Sequence, residues 1–373
     1  MMNFGSKWKQ YLRKQLLWCH YVGCLPIEWD HHEECPKVIK SSFRKIVSWC
    51  SIVVFLIHEM KVLFNTVRLA MSPDWEKLKF GRRVFMVTMT LENVFGVGLY
   101  IHILNVSPTI PILFKQFVRF HQNLEGHQVQ GSGFIPAMFY YLTASTLLCI
   151  PMVARHFEAQ PQLFHVITPV NSVAAITTLM MSFLALTWVT VVRTTLIFTG
   201  LFALTLPALV IAKSGANSLL ENSINAEKQA IQSTSRHLAN VVYERTVAVT
   251  NFIENYRATE VLVTTLNAIS SGLGPLAQTT SVVVISGSIV CSIRMEGFYK
   301  KMAGVAIIVI NSAMSMLFNY SSGSIYEKSK ESLAIWKRRM NYTRIQKTLK
   351  SIRPIKIYCG SWFYYDKEIL LPL

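Results

Sequence analysis

The chain is 373 residues long, 51% apolar and only 15% charged, with a mean hydropathy of +0.34. Soluble domains carry roughly 25% charge, so this composition excludes a disordered, collagen-like or small disulfide-stapled protein and points to lipid as the solvent. The net charge of +17 comes from 37 Lys+Arg against 20 Asp+Glu; in a membrane protein that excess reads as basic loops facing anionic cytoplasmic lipid, with no nucleic-acid partner.

Residues 1–44 form a basic N-terminal segment with Lys7, Lys9, Arg13, Lys14, Lys37, Lys40 and Arg44. It lacks the long apolar core and small-residue cleavage site of a signal peptide. The run His31-His32-Glu33-Glu34-Cys35 has a metal-like composition, but adjacent residues rarely face one ion. A solvated loop is expected there, with no metal site. The seven cysteines are scattered and odd in number, and read as free thiols.

Long apolar runs follow at about 46–67, 84–105, 134–154, 173–212, 273–293 and 303–320. A bilayer core needs about 20 apolar residues per helix, and strands would alternate instead, so each run reads as a helical span. The run 173–212 is broken only by Arg193 and is either one long span or two. It lacks the turn chemistry of a hairpin around Arg193. With six spans, the segments 1–44, 106–133, 213–260 and 323–373 lie on the N-terminal side and carry 25 Lys/Arg, while 70–83, 156–172 and 293–302 on the other side carry 7. The positive-inside rule then places both ends in the cytoplasm. The fold class expected is all-α, a polytopic membrane helix bundle with six spans of a probable seven. The bundle covers residues 45–322, and 323–373 is a basic cytoplasmic segment.

Residues 213–260 are a cytoplasmic helical region rather than a linker. Leu238, Val242, Val249, Phe252, Tyr256 and Val263 recur mostly at three- and four-residue steps, with Lys228, Arg236, Glu244, Arg245 and Glu254 off the stripe. One amphipathic helix running into the fifth span is predicted. It either lies on the membrane surface or packs with other helices below the bilayer, the second being the better fit.

No catalytic constellation, phosphate loop, HExxH or GxSxG is present, so neither an enzyme nor a cofactor is expected. Ionisable residues inside spans are costly and default to functional candidates. Glu59 and Lys61 fall in the first run, Glu92 in the second and Arg193 in the fourth. They either pair between helices or, for Glu92, line a ligand pocket or ion path. The sequons at Asn105, Asn319 and Asn341 all fall on the inner side and are expected to stay unglycosylated.

Several short stretches carry a resemblance. Tyr21-Val22-Gly23-Cys24-Leu25-Pro26 is similar to the Gly…Pro entry segment of insect gustatory receptors. Phe114-Lys115-Gln116-Phe117-Val118-Arg119-Phe120 suits their second intracellular loop. The stretch from Ser351 through Arg353-Pro354 and Gly360 to Phe363-Tyr364 resembles the segment leading into their seventh helix. With the span pattern, the chain resembles the arthropod gustatory/odorant receptor superfamily of seven-transmembrane chemoreceptor channels. The family carries a Thr-Tyr…Gln-Phe signature on a pore-lining seventh helix. Here the sequence reaches Leu371-Pro372-Leu373 about where that helix would start, so truncation before it is expected, and no ligand-gated current from these residues alone.

The resemblance implies a plasma-membrane, multi-pass subunit of a ligand-gated cation channel, assembled as a homo- or hetero-tetramer with other receptor subunits. It also implies a pocket for a small organic ligand in the outer half of the bundle, within 84–94, 145–155 and 173–190. Phe85, Met89, Glu92, Met152, Met180, Phe183 and Trp188 are the ligand-binding candidates there; soft and aromatic side chains suit an apolar ligand. The alternatives are a G-protein-coupled receptor, which needs an extracellular N-terminus, and a secondary transporter. The transporter would favour paired broken helices, yet Gly272-Leu273-Gly274-Pro275 has no counterpart in the first half.

Overall fold

Apolar runs of this length close their backbone hydrogen bonds within a helix, and in the computed structural model those at about 46–67, 84–105, 273–293 and 303–320 lie in described helices. The structure describes residues 25–124, 206–232, 238–270, 274–294, 298–339, 343–360 and 363–366, with Gly272 and scattered positions between 10 and 23. The third run and nearly all of the fourth, with Arg193, lie outside the described residues. The described residues fall into two compact units. One holds those within 1–74 and 96–111; the other holds those within 75–95, 112–124 and 206–366.

In the first unit, Leu12, Leu16 and Cys19 are buried in a helical stretch. Strands β1 (Ile27–Asp30) and β2 (Cys35–Val38) then pair antiparallel, Glu28 opposite Lys37 and Asp30 opposite Cys35. A solvated loop was expected here. The turn 31–34 is indeed exposed, but it tips a hairpin that buries Ile27, Trp29 and Cys35.

Helix α1 (Ser42–Ala70) spans the first apolar run and is long and apolar enough to cross a membrane. Its faces are inverted relative to a soluble helix. Phe43, Ile57, Met60 and Phe64 are all more than 60% exposed, while Ser48, Ser51, Glu59 and Thr66 are buried. Phe55 meets Tyr100 edge to face, with ring centroids 5.3 Å apart. An exposed face this apolar over a whole helix is what lipid solvates.

A short helix α2 (Asp74–Lys77) leads to α3 (Phe80–Val106) and α4 (Ile110–Leu124). Val94–Val106 and Ile110–Phe120, bent at 107–109, together also reach spanning length and apolarity. Helices α5 (Leu206–Gln232), α6 (Leu238–Ser270), α7 (Gly274–Arg294), α8 (Phe298–Arg339) and α9 (Thr343–Ser351) follow.

The helical region 213–260 falls on two described helices, α5 up to Gln232 and α6 from Leu238, the second carrying the stripe. The stripe itself holds: Val249, Phe252, Tyr256 and Val263 are buried while Lys228 and Glu254 are exposed. The sixth helix does not end near 320. It runs 42 residues, because Glu327, Lys328, Lys330 and Glu331 suit a solvated continuation while Ser329, Ser332, Leu333 and Trp336 are buried on its other side. Helices α5 and α6 pack together, and α5 also packs along α8. The helical region is therefore part of a bundle. Strands β3 (Tyr358–Cys359) and β4 (Phe363–Tyr364) form a second small ribbon near the end of the chain.

Candidate functional site

Three of the residues expected to bind ligand lie on α3. They are Phe85, Met89 and Glu92, and α3 also carries Thr88. Through Thr88, α3 meets α7. A Cβ built on Gly287 would fall 2.1 Å from the Thr88 hydroxyl oxygen, so only glycine lets the two helices approach this closely. One level away, the Cys291 thiol lies 3.9 Å from the Gly81 carbonyl oxygen. On its other side α7 meets α8 equally tightly, where a Cβ on Gly304 would fall 2.1 Å from Ser292 Oγ. The Thr88 and Ser292 hydroxyls donate to carbonyls on their own helices, Val84 at 2.9 Å and Ser288 at 2.7 Å. Small residues with internally satisfied hydroxyls are how helices pack closely in lipid. The candidate positions 85, 89 and 92 thus belong to a helix locked through α7 to α8. Met152, Met180, Phe183 and Trp188 lie outside the described residues.

The second feature is the stretch 352–366, which holds the Arg-Pro and Gly positions of the resemblance. It has little regular structure, so its backbone groups need partners elsewhere, and helices supply them. From α6, the Tyr256 hydroxyl donates to the Arg353 carbonyl at 2.7 Å. The Asn267 amide donates to the Lys356 carbonyl at 2.8 Å and its oxygen accepts from the Tyr358 N–H at 3.1 Å. One side chain thereby acts as a neighbouring strand would. From α8, Ser329 Oγ accepts from the Ile355 N–H at 3.0 Å, and Lys337 donates to the Ile352 carbonyl at 3.3 Å. From α7, Gln278 donates to Asn319 Oδ1 on α8 at 2.7 Å and reaches the Tyr365 hydroxyl at 3.4 Å.

Rings fill the remaining space. Phe318 meets Tyr365 edge to face at 5.2 Å, and the Lys356 ammonium sits 3.7 Å from the Tyr364 ring centre. Ile355, Ile357 and Cys359 are buried. Gly360 turns the ribbon with φ +61°, a conformation that strains any side chain. Beneath this stretch, Trp336 stacks on Phe252 at 5.1 Å and donates to Ser223 Oγ at 2.8 Å.

Burial pushes the phenols of Tyr256 and Tyr365 above their ordinary range, and burial raises the Cys359 thiol. All three therefore stay protonated at neutral pH, so the contacts of 352–366 keep their donors across the physiological range. Sequence reasoning placed Tyr256 on a buried stripe. It did not find Asn267, Gln278, Asn319 or Ser329; the signal available was polar residues on either side of the Gly272–Pro275 break. Of the span charges, Glu59 is buried and Lys61 exposed, and Arg193 lies outside the described residues. No group of three or more His, Cys, Asp or Glu is placed to hold a metal among the described residues.

No protein-family model matches the chain, and no curated protein sequence matches it. Solved structures do. The insect olfactory receptor OR5 from Machilis hrabei, solved in complex with eugenol, superposes with a TM-score of 0.58, over 98% of this chain and 95% of that one, at 11% identity. A second structure of the same receptor gives a TM-score of 0.56 over 97% of this chain and 94% of that one, again at 11% identity. The chain has the insect olfactory receptor fold. The similarity runs almost end to end. The solved proteins it resembles are receptors rather than enzymes.

Proposed function

We propose that the chain is a chemosensory receptor of the gustatory/odorant type, a subunit of a ligand-gated cation channel that responds to small organic ligands. It sits in the plasma membrane as a multi-pass protein with a cytoplasmic N-terminus, and it works as a homo- or hetero-tetramer with other receptor subunits. The observation that carries this reading is the near-complete superposition on an olfactory receptor, one structure of which was solved with eugenol. The inverted face of α1 and the net charge of +17 support a membrane setting with basic cytoplasmic segments.

The ligand would sit where Phe85, Met89 and Glu92 line α3, together with Met152, Met180, Phe183 and Trp188. The small-residue contact of Thr88 with Gly287 offers a route by which a ligand on α3 could displace α7. The test is a panel of volatiles and tastants applied to purified receptor, read as a ligand-dependent rise in melting temperature. A hit abolished by Met89→Ala or Glu92→Gln, with the unliganded melting temperature unchanged, supports the site. A hit insensitive to all seven positions contradicts it.

A further inference from the structure

Helix α6 ends at Ser270 and α7 begins at Gly274, with Gly272 in a turn between them and Pro275 just after. Two glycines and a proline leave the chain free to bend there. The stretch 352–366 crosses this break and touches both sides of it. On the α6 side the contacts run from helix side chains to its backbone, through Tyr256 and Asn267. On the α7 side they run through its own side chains. A Cβ built on Gly274 would lie 3.3 Å from both the Cα and the Sγ of Cys359, and 3.6 Å from the Tyr365 hydroxyl, while Gln278 reaches that same hydroxyl. Ser329 and Phe318 of α8 hold it from behind.

We propose that 352–366 is a clasp that sets the bend between α6 and α7. Six backbone or side-chain groups of the clasp are held by α6, α7 and α8 together, so the bend cannot open while the clasp is seated. Asn267 is the pivotal residue: it stands one turn before the break and holds the clasp backbone by both a donor and an acceptor. Gly274 is the seat, since a larger residue there would press on Cys359. If the chain is the gated channel proposed above, movement at the bend is part of gating.

The experiment is hydrogen exchange on the whole receptor in nanodiscs, with two variants of opposite sense. Asn267→Ala releases the clasp backbone. Exchange should then rise roughly tenfold in 353–360, the scale of a lost hydrogen bond, and it should rise equally in 268–276 across the break. Gly274→Cys places a second thiol within disulfide reach of Cys359. Copper phenanthroline, which takes up the two electrons as the thiols lose their protons, should link them. The link should slow exchange at 268–276, and dithiothreitol should reverse this.

Faster exchange confined to 353–360 in Asn267→Ala, or a link that leaves 268–276 unchanged, would overturn the clasp. Failure of the link to form would overturn the seat. A parallel recording of ligand-evoked current separates the two readings. Exchange results as expected, with no current from any variant or the parent expressed in its full coding context, keep the clasp and remove the channel. A parent current that the link does not alter keeps the channel and removes the clasp from gating.

Discussion

Two short antiparallel ribbons lie outside the long helices, and they are held by opposite means. The hairpin 27–38 supports itself with its own turn and surface charges. Asp30 Oδ1 accepts from the His32 and Glu33 N–H groups at 2.8 and 3.3 Å, its other oxygen pairs with Lys37 at 3.0 Å, and Glu28 pairs with Arg44. The ribbon 358–364 has two residues per strand and is held almost wholly by helices around it. Exposed ion pairs contribute little and are screened by salt, whereas buried donors and acceptors cost their desolvation when a partner is lost. The second ribbon, though smaller, is thus the one whose disturbance should reach the rest of its unit.

The largest expected difference comes from beneath that ribbon. Trp336→Ala removes a buried ring and the Ser223 hydrogen bond, and should cost about 3–5 kcal/mol. Fluorescence-detected size exclusion should show loss of the monodisperse receptor peak; an unchanged peak would mean that the α5–α6–α8 packing does not support the clasp. Next, Gly287→Ala forces a Cβ onto Thr88 and should cost about 1–3 kcal/mol. Adding Thr88→Ala should return most of the lost melting temperature, a recovery that generic damage would not give.

Tyr256→Phe should cost a comparable amount, about 1–3 kcal/mol, because it strands the Arg353 carbonyl while keeping the ring. Thermal melts should resolve it, and exchange should rise near 353.

The hairpin should respond least. Lys37→Met and Arg44→Met should shift the melting temperature only slightly, and less still at high salt. Its pH response has a definite sign. Lys37, then the His32 and Glu33 N–H groups, hold the Asp30 carboxyl down at about 2, below an unfolded value near 3.9. A depressed folded pKa gives stability that is present above about 4 and fades as pH falls toward 2. Proteolysis after Lys37 should therefore be constant from pH 5 to 8 and should quicken only in acid. A loss of protection already at neutral pH would contradict this assignment to Asp30.

The same contrast explains what was legible in the sequence. Long helices announce themselves by length and apolarity, so the runs 46–67, 84–105 and 273–293 match α1, α3 and α7 within a few residues; of these, α1 alone is by itself long and apolar enough to cross a membrane. The stripe through Val249, Phe252 and Tyr256 is periodic and was also readable. The hairpin was missed because four-residue strands give no sustained alternation and Pro36 argues against a strand. The clasp was missed for a different reason. Its bonds join residues about 90 positions apart, Tyr256 to Arg353 and Asn267 to Lys356, and such bonds leave no local period. The Gly360 position was noticed by resemblance alone; its positive φ supplies the physical reason. The candidate ligand positions on α3 were read from residue chemistry, and the Thr88–Gly287 contact is an addition that only the fold provides.

Whole-cell recording from cells expressing the chain in its full coding context, with G-protein signalling blocked by a non-hydrolysable guanine nucleotide in the pipette, tests the central claim most directly. The account predicts that at least one compound of a broad volatile and tastant panel evokes a cation current that survives the block and is weakened by Met89→Ala or Glu92→Gln. A ligand response that the block abolishes, or a panel that evokes no current from a receptor shown to reach the cell surface, would contradict it.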